Sequence, residues 1–210
     1  MKRTIIYFFD EQDTSRRSNA RELKALIDDS SIQVEALEPY AAFADYAPLI
    51  ADSKTAAFIL DQRMKGSGKV AYNGTDLASY IRSIDGKIPI YILTSYADSS
   101  EDFDGWRHLV DDILAKSSIE DKSSDTAKII KARLRRHLQV FNDVRDDQEQ
   151  RFHDLLVISL KRPLTDGEQI EMDNLEGETT APLLAVERSK ARELETNIKS
   201  LRTLLGANRI

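Results

Sequence analysis

Short apolar segments separated by stretches of helical periodicity constrain the fold of this chain most. Five such segments lie in the first 118 residues, at 4–9, 32–37, 56–60, 88–93 and 112–115. Continuous apolar runs of this length are typical of strands buried on both faces, and their alternation with helices predicts a parallel sheet covered on both sides. We therefore expect a doubly wound α/β domain.

Chemically useful side chains directly follow four of the segments. Asp10 and Glu11 follow the first, Asp61 the third, Thr94 the fourth and Lys116 the fifth. We expect all five to meet, because a doubly wound sheet gathers the C-terminal ends of its strands in one crevice. An Asp there can attack phosphorus and form an acyl phosphate if a divalent cation offsets the charge. Two neighbouring acids suit Mg²⁺ better than zinc, and a hydroxyl and an ammonium group can bond phosphoryl oxygens.

Five pieces of the sequence, in the correct order, resemble the receiver domain of two-component response regulators. They are FFDEQDTSRR, AAFILDQRM, NGTDLASYIR, PIYILTSYADS and HLVDDILAKSS, with 22 residues from Thr94 to Lys116. The resemblance covers residues 1–120, which we take as a receiver domain. It implies a flavodoxin-like five-stranded parallel sheet in the order 2-1-3-4-5 and phosphorylation of Asp61. It also implies Mg²⁺ held by Asp10, Glu11, Asp61 and the carbonyl oxygen of Arg63.

Several positions depart from the receiver pattern. Lys65 replaces a Pro at the start of a loop, 65–74, that is several residues longer than usual and could carry a role of its own. Ser117 replaces the Pro that usually follows the Lys, so the customary cis peptide is not expected there. Ile113 replaces an aromatic residue that often moves inward on phosphorylation, so we expect any switch to work differently.

Bulky residues two positions beyond Asp61 and Thr94 could hinder an attacking water. These are Arg63 and Tyr96. We therefore expect slow loss of phosphate, and no enzyme activity beyond this slow self-dephosphorylation.

Residues 121–210 carry no further convincing strand, and we expect an all-α, coiled-coil-like extension that serves output or dimerisation. A long helix should run to about Leu160, where Pro163 interrupts it. A short helix should then run from a capping box at Thr165 to a stop near Gly177, before a last helix that starts near Pro182. The last helix carries an apolar seam that should pack against another helix, either in its own chain or in a homodimer. The seam comprises Ala191, Leu194, Ile198, Leu201 and Leu205.

Composition narrows the class of protein. A net charge of -6 argues against general nucleic-acid binding, although 128–136 forms a basic cluster. No apolar stretch approaches the length of a membrane span, and the absence of Cys fits a reducing compartment, so we expect a cytoplasmic protein without membrane contact.

The GSGK at 66–69 lacks the Gly and Ser or Thr of a phosphate-binding loop, and the three His residues have no ligand-like spacing.

These observations favour a response regulator of a two-component phosphorelay. Asp61 would accept a phosphoryl group from a histidine kinase or phosphotransfer protein, with Mg²⁺ as cofactor, and the C-terminal helices would contact an unknown output protein. One alternative is a receiver-like scaffold that acts without phosphorylation, and another is a DNA-binding regulator that uses 128–136. A phosphatase with an aspartyl nucleophile would need a further acid for general catalysis.

Overall fold

A five-stranded parallel sheet forms the centre of the computed structural model, which describes residues 2–66, 68–95 and 105–207. The strands are β1 (Ile5–Phe9), β2 (Gln33–Leu37), β3 (Thr55–Asp61), β4 (Ile90–Thr94) and β5 (Asp112–Ala115). Their order is β2-β1-β3-β4-β5, and every neighbouring pair is parallel. The three central strands are buried along their whole length, as their apolar sequences require. The predicted flavodoxin-like fold and strand order are confirmed.

Six α-helices and two 3₁₀ turns complete the described structure. The helices are α1 (Asp13–Ile27), α2 (Ala47–Ala51), α3 (Gly74–Ile84), α4 (Lys116–Glu120), α5 (Asp125–Ser159) and α6 (Asp166–Ala207). The sequence of residues 41–51 predicts a helix, and the structure has a 3₁₀ turn there, Phe43–Tyr46, followed by the short α2. The sequence also predicts a helix at 102–109. Residues 102–104 lie outside the described residues, and the described part contains the 3₁₀ turn Arg107–Leu109.

Two hydrophobic cores lie on opposite faces of the sheet. One contains side chains of α1 and of the first half of α5, whose buried positions are Ala127, Ile130, Leu134 and Leu138. The other contains α2 and α3, together with the aromatic residues of the 3₁₀ turn at 43–46. The first half of α5 thus shares its core with the sheet, and the division of the chain at residue 120 stays a prediction.

The second half of α5 connects the two faces at the N-terminal edge of the sheet. Phe141 belongs to the core of the α2 and α3 face, and the Asn142 side chain accepts a hydrogen bond of 2.8 Å from the Arg3 backbone N–H. Arg145 forms a buried ion pair with Asp85 at 2.5 Å. After the turn at 160–165, α6 packs along α2. The α5–α6 hairpin therefore clasps the α/β core from both sides.

The C-terminal region differs from the prediction in one respect, because α6 is a single helix of 42 residues. The predicted stop at Gly177 and the new start near Pro182 were wrong. Pro182 is buried against the side of the domain, beside Ile50 and Ala51, and this packing offsets the backbone hydrogen bond that a Pro inside a helix removes. The predicted capping box is confirmed, since Thr165 N–H donates to the Glu168 carboxylate at 2.8 Å and Glu168 N–H to the Thr165 hydroxyl at 3.3 Å.

Candidate functional site

A cleft of about 390 Å³ opens at the C-terminal edge of the sheet. The register of the strands builds it: Phe9 pairs with Leu60, Asp61 with Leu93 and Thr94 with Ala115. The residues that follow these pairs therefore stand side by side. The lining residues are Asp10, Glu11, Gln12, Ser15, Asp61, Arg63, Gly66, Thr94, Ser95 and Lys116. All six site residues predicted from the sequence are among them.

The ammonium group of Lys116 lies between two carboxylates of the cleft. Its Nζ is 2.6 Å from Asp61 Oδ1 and 3.3 Å from Asp10 Oδ2. Backbone N–H groups hold the other oxygen of each acid, because Gln12 N donates to Asp10 Oδ1 and Arg63 N donates to Asp61 Oδ2, both at 2.9 Å. Both carboxylates are thus fixed in orientation.

The cleft concentrates buried negative charge. Asp10, Glu11 and Asp61 are 1%, 6% and 5% exposed. Burial raises the pKa of Asp61, and the hydrogen bond and charge of Lys116 offset only part of that rise. At Lys116 burial acts to lower the pKa, but the bond to Asp61 and the two carboxylate charges outweigh it, so the pKa is raised and the side chain stays charged. The cleft is an environment in which added positive charge is favourable.

Two glycines allow backbone to approach the acids closely. A Cβ on Gly74, at the start of α3, would lie 2.4 Å from the carbonyl oxygen of Asp61. A Cβ on Gly66 would lie 2.5 Å from Glu11 Oε1. No sequence motif marked either glycine, Gln12 or Ser95 as part of the site. Their positions next to the motif residues were the only available signal, since close approach depends on the tertiary structure.

The extended loop is fastened to the side of the domain. Val70 and Tyr72 are buried, and the Tyr72 hydroxyl lies 2.7 Å from that of Tyr46 and donates to the carbonyl oxygen of Tyr40 at 2.5 Å. The tyrosines thus anchor the far end of a loop whose beginning, at Gly66, lines the cleft.

The remaining departures from the receiver pattern have plain structural outcomes. The described residues contain no cis peptide bond, so the peptide before Ser117 is trans. Ile113 is half-buried in β5, and the Arg63 side chain is exposed at the mouth of the cleft. Tyr96 lies outside the described residues.

Much of the basic cluster at 128–136 contacts the protein itself. Lys131 pairs with Asp28 at 2.9 Å and Arg133 with Asp112 at 3.2 Å. Arg135 donates to the backbone carbonyls of residues 27 and 28. These contacts occupy groups that a DNA-binding surface would need, so the structure gives the DNA-binding alternative no support.

Carboxylate and carbonyl oxygens are the ligands that Mg²⁺ prefers, and the cleft supplies both. In the part of the chain that the structure describes, no three acid or His side chains are already grouped around a common point as metal ligands. The ammonium of Lys116 lies between two of the three acids instead. The residue types fit Mg²⁺, provided that Lys116 gives up part of this contact.

The strand order defines a doubly wound α/β domain with the flavodoxin-like fold. Among solved structures, the chain is similar to the receiver domain of a sensor histidine kinase from Pseudomonas aeruginosa with a magnesium ion in its active-site cleft. The two are 16% identical, with 65% of this chain and 98% of that chain covered and a TM-score of 0.45. The non-phosphorylated HemR receiver domain from Leptospira biflexa is 18% identical, with coverages of 65% and 94% and a TM-score of 0.42.

A third similar structure is the receiver domain of a LuxO-type repressor from Vibrio parahaemolyticus, which is 16% identical, covers 69% of this chain and 95% of that chain, and has a TM-score of 0.45. No family model and no curated protein matches the sequence. The assignment of the fold therefore rests on the observed strand order rather than on these similarities. Within the described residues, no helix is both long and apolar enough to cross a bilayer.

Proposed function

We propose that the protein is a response regulator that accepts a phosphoryl group on Asp61 and signals through protein contacts of its C-terminal helices. One observation carries the proposal: a buried Asp at the end of β3 shares a single ammonium group with a second buried acid, at 2.6 and 3.3 Å. Such a cleft contains an oxygen nucleophile, the Asp61 carboxylate. It also contains a cation, the Lys116 ammonium group, that can stabilise the negative charge of a phosphoryl group bound there.

The chemistry follows from the positions of these groups. One carboxylate oxygen of Asp61 forms a bond to phosphorus while the bond from phosphorus to the donor nitrogen of a phosphohistidine breaks. The electron pair of that bond stays with the imidazole, which takes up a proton. Lys116 then transfers its hydrogen bond from Asp61 to a phosphoryl oxygen, and the Thr94 hydroxyl donates to another. The product is a mixed anhydride of aspartate and phosphate.

Magnesium completes the proposed site. Asp10, Glu11, Asp61 and the carbonyl oxygen of Arg63 would hold the ion, which when bound supplies positive charge that offsets the carboxylates and the phosphoryl oxygens. The surplus of buried carboxylates over ammonium groups in the cleft supports this assignment.

The phosphoryl donor would be a histidine kinase or a phosphotransfer protein, and the receiver of the signal a further protein. Ser15 and Arg63 line the cleft and are partly and fully exposed, which supports access for a donor side chain. Arg63 lines the mouth of the cleft, and we expect its bulk to hinder an attacking water and to slow hydrolysis of the acyl phosphate.

Intact-mass measurement of the full chain with acetyl phosphate and Mg²⁺ tests the proposal. Wild type should gain one phosphoryl group, whereas Asp61→Asn and samples with excess chelator should gain none. Asp111→Asn, which changes an exposed acid outside the cleft, is the matched control and should behave like wild type. Wild type that stays unmodified under these conditions would contradict the proposal.

A scaffold that acts without phosphorylation is the second candidate. All four carboxylate oxygens of Asp10 and Asp61 already have hydrogen-bond donors within the protein, so the cleft is a complete structure as it stands. This candidate predicts no acyl phosphate and equal binding of a partner by wild type and Asp61→Asn.

A further inference from the structure

The two halves of α6 lie in different environments. Up to about residue 189 the helix packs on α2, the 3₁₀ turn at 43–46 and α3, and Pro182 is buried there. Every residue from 190 to 203 is exposed. The sequence left open whether the last seam packs on the long helix of its own chain or pairs in a homodimer. Within the described residues this segment does not pack on the long helix, which favours the homodimer.

Large aliphatic side chains are exposed on one stripe of this segment. Leu194, Ile198 and Leu201 are 61%, 49% and 58% exposed. Together with Ala191 they follow the three-four spacing of a heptad, with Ala191 and Ile198 at a and Leu194 and Leu201 at d. A helical segment of this length without tertiary contacts is only marginally stable in water. Burial of the stripe would stabilise it.

The residue types on the stripe indicate which kind of helix can pack against it. Ile198 at an a position, between Leu194 and Leu201 at d positions, is the combination that favours a parallel two-stranded coiled coil. In that arrangement each g residue faces the e residue of the next heptad in the other chain, which places Lys190 opposite Glu195 of the partner subunit. The other g and e′ pair of this segment combines Asn197 with Arg202, so a parallel pair of identical helices meets one attractive charge pair on each side and no repulsive one.

The end of α6 is also placed where a second copy can reach it. Glu178 pairs with Lys87 at 2.7 Å, beside the N-terminal edge of the sheet. Further along, Arg192 lies near enough to α3 to offset part of the rise that burial causes in the pKa of Tyr80. Residues beyond 192 therefore continue away from the packed part of the helix, about 1.5 Å per residue.

We propose that residues 190–207 of α6 form a parallel, two-stranded coiled coil with the same segment of a second copy of this chain. This interface is separate from the cleft and does not depend on phosphorylation. Failure of the dimer would leave the proposed chemistry of Asp61 intact, and the reverse also holds.

Sedimentation equilibrium of the full chain, from about 1 to about 100 µM, tests the interface. Wild type and Asp61→Asn should both approach the dimer mass. Ile198→Lys, which places a charge at an a position, should stay monomeric. Ile170→Lys is the matched control, because Ile170 is a 62% exposed residue of the same helix outside the stripe, and it should dimerise like wild type.

Charge reversal tests the parallel orientation. Lys190→Glu and Glu195→Lys should each raise the dissociation constant about fivefold, since two attractive pairs become repulsive. The double variant should restore the wild-type value, because each reversed charge again faces its opposite. Monomeric wild type over the whole range, dimeric Ile198→Lys, or a double variant as weak as the single variants would overturn the proposal.

Discussion

The two edges of the sheet both bury acids, but they balance the charge differently. At the N-terminal edge Asp85 accepts from Arg145 at 2.5 Å and from the backbone N–H groups of Lys87 and Ile88 at 2.9 and 3.2 Å. At the C-terminal edge Asp10 and Asp61 share the single ammonium of Lys116. At the N-terminal edge Asp85 has its own cation, Arg145, whereas at the C-terminal edge two acids share one cation, Lys116. The first arrangement is that of a structural joint, and the second that of a site that can gain from a further ligand.

Removing the cation at the N-terminal edge should have the largest effect on stability. Arg145→Leu leaves Asp85 buried without its partner and removes the contact of the guanidinium with the Phe141 ring. We expect the free energy of unfolding to fall by about 3 kcal/mol. Urea unfolding at neutral pH measures it. Arg133→Leu, which breaks a more exposed pair with Asp112, should cost about 0.5 kcal/mol, and equal losses for the two variants would contradict the view of Asp85 and Arg145 as a joint.

A methyl group at the cleft edge should have the next largest effect. In Gly74→Ala the new Cβ would meet the Asp61 carbonyl oxygen at 2.4 Å, and we expect a loss of about 2 kcal/mol in the free energy of unfolding. Gly86→Ala meets no atom within 4 Å and serves as the control. A Gly74→Ala variant as stable as wild type would show that the backbone near Asp61 shifts easily, and it would contradict the close packing inferred for this edge of the cleft.

The ionisation of Asp61 should cost stability. Its pKa is raised in the folded protein, so the unfolded chain loses this proton first as pH increases. The stability associated with the protonated group is complete below the unfolded pKa, 3.8, and is lost as pH rises through the folded pKa. The stability of Asp61→Asn relative to wild type should therefore increase as pH rises over that interval, by less than the loss expected for Gly74→Ala. Thermal unfolding measured across pH tests this. A stability difference that decreases with rising pH would contradict the raised pKa of Asp61.

The hairpin supplies an acid with the opposite behaviour. The hydrogen bond from Arg162, followed by that from the Thr165 backbone, lowers the pKa of Glu168 to about 2. Its stabilising effect should be present above the unfolded pKa of 4.5 and disappear as pH falls towards 2. Glu168→Gln should therefore be slightly less stable than wild type at neutral pH and equal to it near pH 2. This effect should be the smallest of the four, because the group is exposed to solvent.

The sequence was sufficient for the sheet and for the composition of the cleft because both depend on local patterns. Apolar runs specify the buried strands, and the parallel order then brings residues such as Asp10, Asp61 and Lys116 to one edge. Features that depend on distant contacts could not be predicted. The sequence marks Pro182 as a helix start, and only its burial against α2 explains why α6 continues through it. Gly74 and the Arg145 ion pair with Asp85 likewise depend on segments far apart in the chain.

The central claim is that Asp61, rather than any other acid, is the phosphoryl acceptor. The most direct test is borohydride reduction of the full chain after incubation with acetyl phosphate and Mg²⁺, since this converts an aspartyl phosphate to homoserine, followed by peptide mapping by mass spectrometry. We expect homoserine at position 61 and at no other position. Homoserine at another acid, or none at all in protein incubated with donor and Mg²⁺, would contradict it.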